Sequence, residues 1–570
     1  MLMPPRDLSY DVDEFSARLK ELERRVSALE HPAERKPAGG EPYAASAGPA
    51  PSEIPTDQSK PSVFPVFGKA ILGIAGAYLL RAAAETDVFS SSVAVTLALA
   101  YAASWLVWAA WPRAQGRLAA YSYALTTALI LPPLLWEVTV RFRMIEPRVA
   151  AAVLPAFALL AMILAWRRNV SPVAWIGMLT AVVTCLILLP ATRALVPFTL
   201  SLLGMAGLSE FAASRDRWLA LRPFVAVGAD FAALILITIL GDDSAISPEY
   251  HPVAAGVLIA LLIALFLIYA SSLAIRSLVF RLKVTVFEAV QLPAAVLLLG
   301  WGVVRITHGS GMPALGVSCL VAGAACYFAA FGLAAADRHP RNFRFYSAWG
   351  VALVTAGSFL SLPSLPLVIW FCLIAVAAIW LSVRRRSAAL DLHGVVYLCG
   401  AFVASGLLGY AGRALAGSYP APPGALPILA AIGALLCSTL ISRYYPGEHQ
   451  GERLVRLLPA ILAVYATSGF AVGVLVWMIA GGASPTLPQL AVIRTIVICI
   501  VALLLTFAGA RWKRLELVWL AYAATLLGSL KLLFEDLRIG STQSLAVSLL
   551  VYGTVLILIP RLVRAENRRA

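Results

Sequence analysis

Charge is what this chain has least of. Asp, Glu, Lys and Arg make up 13% of its 570 residues, about half of the ~25% usual in a soluble globular domain. That scarcity excludes a water-facing surface for a chain of this size. Histidine is sparse too. The six residues His31, His251, His308, His339, His393 and His449 are scattered near loops, with no ligand spacing, and no metal site is expected. Each of the seven cysteines lies inside an apolar run, and none forms a CxxC pair. They read as small packing residues, so neither disulfides nor a metal cluster is expected. No Walker A loop, HExxH or GxSxG occurs, and no cofactor is expected. The opening MLMPPRDLSYDVDEF has no apolar core and no small-residue cleavage site, which argues against a signal peptide.

Apolar residues are what remains. They make up 60% of the chain, with a mean hydropathy of +0.84, which places it in the membrane class. From Val66 onward, apolar runs alternate with short basic or polar loops. A run of about 20 residues crosses the hydrocarbon as a helix. The runs start near residues 66, 91, 119, 149, 172, 194, 221, 252, 284, 313, 344, 364, 393, 424, 456, 489, 515 and 541. The expected fold is therefore all-α, a polytopic transmembrane helical bundle of about 18 spans over residues 66–562, followed by a basic tail, 563–570. No internal repeat is visible along it.

The net charge of +15 would suggest nucleic acid in a soluble protein. Here the basic residues sit in alternate loops. Examples are Arg167 and Arg168; Arg215, Arg217 and Arg222; Arg276, Arg281 and Lys283; Arg384, Arg385 and Arg386; and Arg511, Lys513 and Arg514. The intervening loops are poor in Lys and Arg, apart from the one with Arg141, Arg143 and Arg148. This is the positive-inside pattern, and it puts both termini in the cytoplasm. Membrane lipids, through their anionic headgroups, are the expected partner of these charges, and nucleic acid is not.

Residues 1–30 differ from all that follows. Leu8, Val12, Phe15, Leu19, Leu22, Val26 and Leu29 are spaced alternately by four and three. That is a heptad seam with Val12, Leu19 and Val26 at a, and valine at a with leucine at d favours two parallel strands. Arg18 and Arg25 at g would face Glu23 and Glu30 at e of a partner helix. The expected use of residues 8–30 is a homodimer or the capture of a cytoplasmic protein. Residues 31–65 are rich in Pro, Gly, Ala and Ser and read as a disordered tether.

Ionisable groups inside membrane spans are functional candidates, because lipid makes them costly. Asp230 is mid-span. Glu288 and Gln291 share a face at i,i+3. Arg494 lies a turn into its span, and Lys531 precedes Glu535 by four residues. Glu137, Glu210, Glu535 and Asp536 are expected at span ends, within reach of water. Arg494 and Lys531 are expected to snorkel to the surface, or Lys531 to pair with Glu535 along one helix. A transport site would need Asp230 and Glu288 to face a shared pocket. An enzyme reading rests on Glu85 and Asp87 in the first outward loop, where some membrane glycosyltransferases acting on lipid-linked sugars place an acidic pair.

The order of parts, a cytoplasmic coiled coil, a Pro-rich linker and a long series of spans, resembles a family of predicted bacterial membrane proteins of unknown function. Arg511, Lys513, Arg514, Glu516, Lys531 and Asp536 in ARWKRLELVWLAYAATLLGSLKLLFEDL look similar to that family's C-terminal end. The resemblance implies a bacterial inner-membrane protein and lends no activity. The leading expectation is a non-enzymatic scaffold or transporter-like bundle, with the glycosyltransferase-like enzyme as the alternative.

Overall fold

The computed structural model describes residues 91–110, 117–242, 247–333, 340–385, 387–417, 423–444, 450–480, 485–539 and 541–569, with Lys20 and a few positions between 68 and 76. The chain divides into two units, Met1–Ser62 and Val63–Ala570, and the description that follows is of the second. The coiled-coil seam Leu8 to Leu29, the tether, and Glu85 and Asp87 lie outside the described residues.

Among the described residues the architecture is helical, without strands. The helices are α1 (Ser91–Ala109), α2 (Arg117–Trp136), α3 (Pro147–Arg168), α4 (Ser171–Thr192), α5 (Leu195–Ser214) and α6 (Arg222–Leu240). Next come α7 (Ala255–Ala274), α8 (Val286–Ile306), α9 (Met312–Phe328), α10 (Pro340–Ser361), α11 (Ser364–Arg385) and α12 (Ala388–Ala404). The last are α13 (Leu407–Ala416), α14 (Ala425–Tyr444), α15 (Gln450–Ala480), α16 (Leu487–Arg511), α17 (Leu515–Lys531) and α18 (Thr542–Arg569). Every expected start from residue 91 onward falls within about two helical turns of one of these.

Among the described residues, thirteen helices are long and apolar enough to cross a membrane, or up to 14 if one bent pair counts as a single span. The expected number of about 18 is not reached among these residues: the run expected near 66 lies mostly outside the described residues, and the other differences have visible reasons. The apolar parts of α1 and α14 are short, Val95–Ala109 and Ala425–Ile441. Helix α10 opens on Arg341 and Arg344. The run expected near 393 breaks between α12 and α13 with a bend of 73°. Helix α18 continues through Arg569, taking in most of the segment expected as a separate tail.

Two apolar cores organise the bundle. Helices α1 to α8 share one, centred on residues such as Leu106, Leu154, Met178 and Phe198. Helices α11 to α15 share another, around Phe371, Phe402 and Ala434. A lesser cluster with Leu273, Val284, Ala330 and Tyr346 joins α7, α8 and α10. Lipid gives helices no hydrophobic reason to associate, so close backbone approach must do the work. Helices α9 and α10 show it. A Cβ on Gly316 would lie 2.9 Å from the Gly357 carbonyl, and one on Gly357 would lie 2.7 Å from the Gly316 carbonyl.

Among the described residues, four helices run into or end on π-helical turns: Glu137–Arg141, Ile275–Val279, Ala329–Leu333 and Leu532–Asp536. The first two belong to one repeated device that no sequence pattern announced. Phe142 and Phe280 donate backbone N–H bonds to Glu137 and Ile275. Arg143 and Arg281 then adopt φ of 51° and 53°. Met144 and Leu282 bond back to Val138 and Arg276 at 2.8 and 2.9 Å. A proline follows in the next helix at the same spacing, Pro155 and Pro293.

Candidate functional site

Four helix ends meet in one buried ionic cluster. Glu210 lies in the last turns of α5, Arg222 opens α6, Arg276 sits in the π turn that follows α7, and Glu288 lies in the first turn of α8. Arg222 grips Glu210 with two bonds, Nε to Oε1 at 2.9 Å and Nη2 to Oε2 at 2.6 Å. Its third arm, Nη1, reaches Glu288 Oε1 at 3.1 Å. Arg276 Nε donates to that same oxygen at 2.9 Å, and its Nη1 donates to the Ala213 carbonyl. Ser272 donates to Glu210 Oε2 at 2.6 Å. The Phe287 ring lies under the Arg222 guanidinium at 4.4 Å.

Glu288 also caps its own helix. Its Oε2 accepts from the Thr285 N–H at 2.7 Å, while the Thr285 hydroxyl oxygen accepts from the Glu288 N–H at 3.4 Å. This is a capping box, and its spacing, Thr285-Val-Phe-Glu288, stood in the sequence as an available signal. All four charged side chains are at most 4% exposed. Two positive and two negative charges close on one another, as a buried group of this kind must.

Expectation and structure part at Glu210. It was placed at a wet interface, but lies buried between two helices because Arg222 and Ser272 satisfy it. Glu137 does remain near the surface, 4.0 Å from Arg141. Asp230 stands about 12 Å further along α6 than Arg222, at 1.5 Å per residue. It meets α8, where Gln291 Nε2 donates to both carboxylate oxygens at 2.9 and 2.8 Å. The structure thus brings together Asp230, Gln291 and, one turn back, Glu288.

A second ionic cluster lies at the C-terminal end of α13, the second half of the broken pair α12–α13. Gly406 turns the chain with φ of 72°, and Ser405 Oγ accepts from the Leu407 N–H at 3.3 Å. The C-terminal carbonyls of α13 then point into the protein. Arg494 on α16 satisfies them. Its Nε donates to the Ala414 carbonyl at 2.8 Å, and its Nη2 donates to the carbonyls of Arg413, at 3.2 Å, and Gly417. Its Nη1 pairs with Glu535 at 2.5 Å. A cation at a helix C-terminus also complements the helix dipole.

Lys531 completes this second group. It donates to Thr495 Oγ1 at 2.7 Å, to the Ala491 carbonyl and to Asp536, and lies 3.8 Å from Glu535. Snorkelling is therefore overturned for both cations: the Arg494 side chain is 3% exposed and that of Lys531 9%. The expected i,i+4 partner, Glu535, is the more distant one. Residues five apart do not face each other on an α-helix. The π turn at Leu532–Asp536 carries extra residues per turn, and this brings Asp536, also expected in water, under Lys531.

Further polar contacts went unread in the sequence. The Tyr327 hydroxyl joins His393 Nδ1 at 3.0 Å and the Tyr397 hydroxyl at 2.6 Å, between α9 and α12. Arg456 pairs with Glu516 at 3.0 Å. Arg514, in the turn before α17, is held below the ordinary guanidinium value by burial and by the nearby Arg456 charge. Among the described residues no group of His, Cys, Asp and Glu is arranged to hold a metal ion. An apolar groove of about 600 Å³ opens between α14 and α15, lined by residues such as Ile428, Leu435, Phe470 and Val474.

The apolar helices and the buried charge clusters define a class, the polytopic helical membrane protein. In comparisons with known proteins, no family model, no curated protein and no solved structure matches this chain.

Proposed function

We propose that this chain is a transporter-like integral membrane bundle rather than an enzyme. The observation that carries the reading is the helix broken between α12 and α13, bent by 73°, whose C-terminal carbonyls are held by the buried Arg494. Irregular backbone at membrane depth is tolerated only where protein or water satisfies it. Discontinuous helices of this kind form the substrate and ion sites of many transporters. The finer reading keeps about 18 spans, with α1, α10 and α14 counted as crossing. It also keeps a bacterial inner membrane, as the resembled family implies, cytoplasmic termini and contact with anionic lipid. Residues 8–30 would join two copies or hold a cytoplasmic partner.

A scaffold is the second reading, and the closed first cluster favours it, since nothing there is left to bind a solute. Thiol labelling from each side of the membrane separates the two. Gly417→Cys, in a chain whose native cysteines are replaced, is exposed to a membrane-impermeant maleimide in right-side-out and inverted vesicles. A transporter that alternates is labelled from both sides. Labelling from one side only, under every solute tried, would leave the scaffold.

A further inference from the structure

Asp230 differs from the acids of the two ionic clusters. Glu210 and Glu288 each have an arginine, and Asp536 has Lys531. Asp230 has a neutral amide, Gln291. It is half-buried, midway along a helix long and apolar enough to cross the membrane, Leu219–Leu240. A carboxylate there carries a charge that no partner among the described residues neutralises.

A second, independent observation lies beside it. Tyr269 on α7 is 4% exposed, and its hydroxyl has no hydrogen-bond partner. Tyr269 stands on α7, which packs against both α5 and α6, and its ring neighbour Phe287 lies one turn before Gln291 on α8. Its ring stands edge-on to Phe287 at 6.3 Å, the residue under Arg222. The other titratable groups on elements packed against α6 are occupied or remote. Glu210, Arg276 and Glu288 are joined with Arg222. The Cys185 thiol on α4 donates to the Phe198 carbonyl at 3.3 Å. Arg305 lies at the opposite end of α8, beside Gly241.

We propose that Asp230, Gln291 and Tyr269 form an intramembrane proton-binding site, with Asp230 taking up and releasing the proton. Ionised, the carboxylate accepts both bonds from the Gln291 amide and keeps acceptor capacity in reserve. Protonated, it becomes neutral and gains one O–H donor. The Tyr269 oxygen, which has no hydrogen-bond partner in the structure, is the acceptor toward which the neutral acid turns. The proton comes from water and returns to it, and no other bond changes. The inference rests on the membrane reading of the bundle and not on transport.

The test is pH-difference infrared spectroscopy of the purified full-length protein in nanodiscs, with aspartate carboxyl carbons labelled by carbon-13. The expected result is a protonated-aspartate carbonyl band that grows as pH falls and is lost in Asp230→Asn. In Tyr269→Phe the band should persist at a shifted frequency. The same titration in sodium chloride and choline chloride identifies the proton as the ligand. A band unchanged in Asp230→Asn, a sodium-dependent curve, or no titrating aspartate over the pH range in which the protein stays folded would each overturn the proposal. If Asp230→Asn does not fold, Asp230→Glu in the same labelled protein gives the readout, since the labelled band must then vanish. None of these results depends on solute flux, so the site and the transporter reading fail separately.

Discussion

The two ionic clusters use the same kinds of residue for different work. In the first, Arg222 and Arg276 bond to Glu210 and Glu288, with one stray bond to the Ala213 carbonyl. Side chain satisfies side chain, and four helix ends are locked. In the second, Arg494 and Lys531 give most of their hydrogens to backbone carbonyls at residues 413, 414, 417 and 491. Glu535 and Asp536 balance the charge there, while Arg494 holds the C-terminal carbonyls of α13, the second half of the broken pair. A bundle in lipid can bury charge either to fix a crossing or to make irregular backbone tolerable. Only the second use leaves a segment whose fold depends on one side chain.

The largest expected effect comes from breaking the first cluster. Arg222→Met leaves Glu210 with only a serine and deprives Glu288 of one of two arginines. Removing one member of a buried ionic group costs about 3–5 kcal/mol. The thermal midpoint of the purified protein should fall steeply, and Glu210→Met with Arg222→Met should recover most of the loss. A single-mutant cost below about 1 kcal/mol would mean that the charges are solvated, and the contrast between the clusters would collapse.

Arg494→Lys sharpens the comparison at the next scale. Lysine keeps the charge but not the planar fork, so at least one carbonyl of α13 should lose its donor. An unsatisfied buried polar group costs about 1–3 kcal/mol. The damage should be local. Hydrogen exchange should speed up across residues 407–417 and remain unchanged across residues 210–222. A uniform increase would show that Arg494 locks the whole bundle, as Arg222 does.

Much of the frame was legible in the residues. Run length and loop charge found the helices, because lipid demands long apolar helices with basic residues at one end. Asp230 and Gln291 were read as candidates on depth alone, and the structure puts them in contact. What escaped was pairing across long separations. Arg222 and Arg276 were counted as loop charges, although each holds an acid on another helix. Glu210 and Asp536 looked wet because their cations, 12 and 5 residues away, meet them only through the turn between α5 and α6 and through a π turn, neither of which the local pattern shows. Pattern reading assumes α-helical periodicity, so a π turn that swaps Glu535 for Asp536 is invisible to it. The odd basic loop at Arg141, Arg143 and Arg148 broke the charge rule, and its backbone proves to repeat the turn at residues 275–282.

The smallest effect tests whether the break itself is a built feature. Gly406 holds φ of 72°, and a Cβ there would meet nothing within 4 Å. Any cost of Gly406→Ala is therefore backbone strain, about 1–2 kcal/mol for an L-residue in the left-handed region. Asn169 and Arg281 adopt similar angles with side chains present, so the bundle bears such strain elsewhere. The thermal midpoint should drop slightly, and far less than in Arg222→Met. If α12 and α13 move about this point, the fraction of Gly417→Cys labelled from each side should change more than the stability does. A matching small change in both would mean that the bend is fixed. The second cluster would then be a lock like the first, with its donors turned toward backbone.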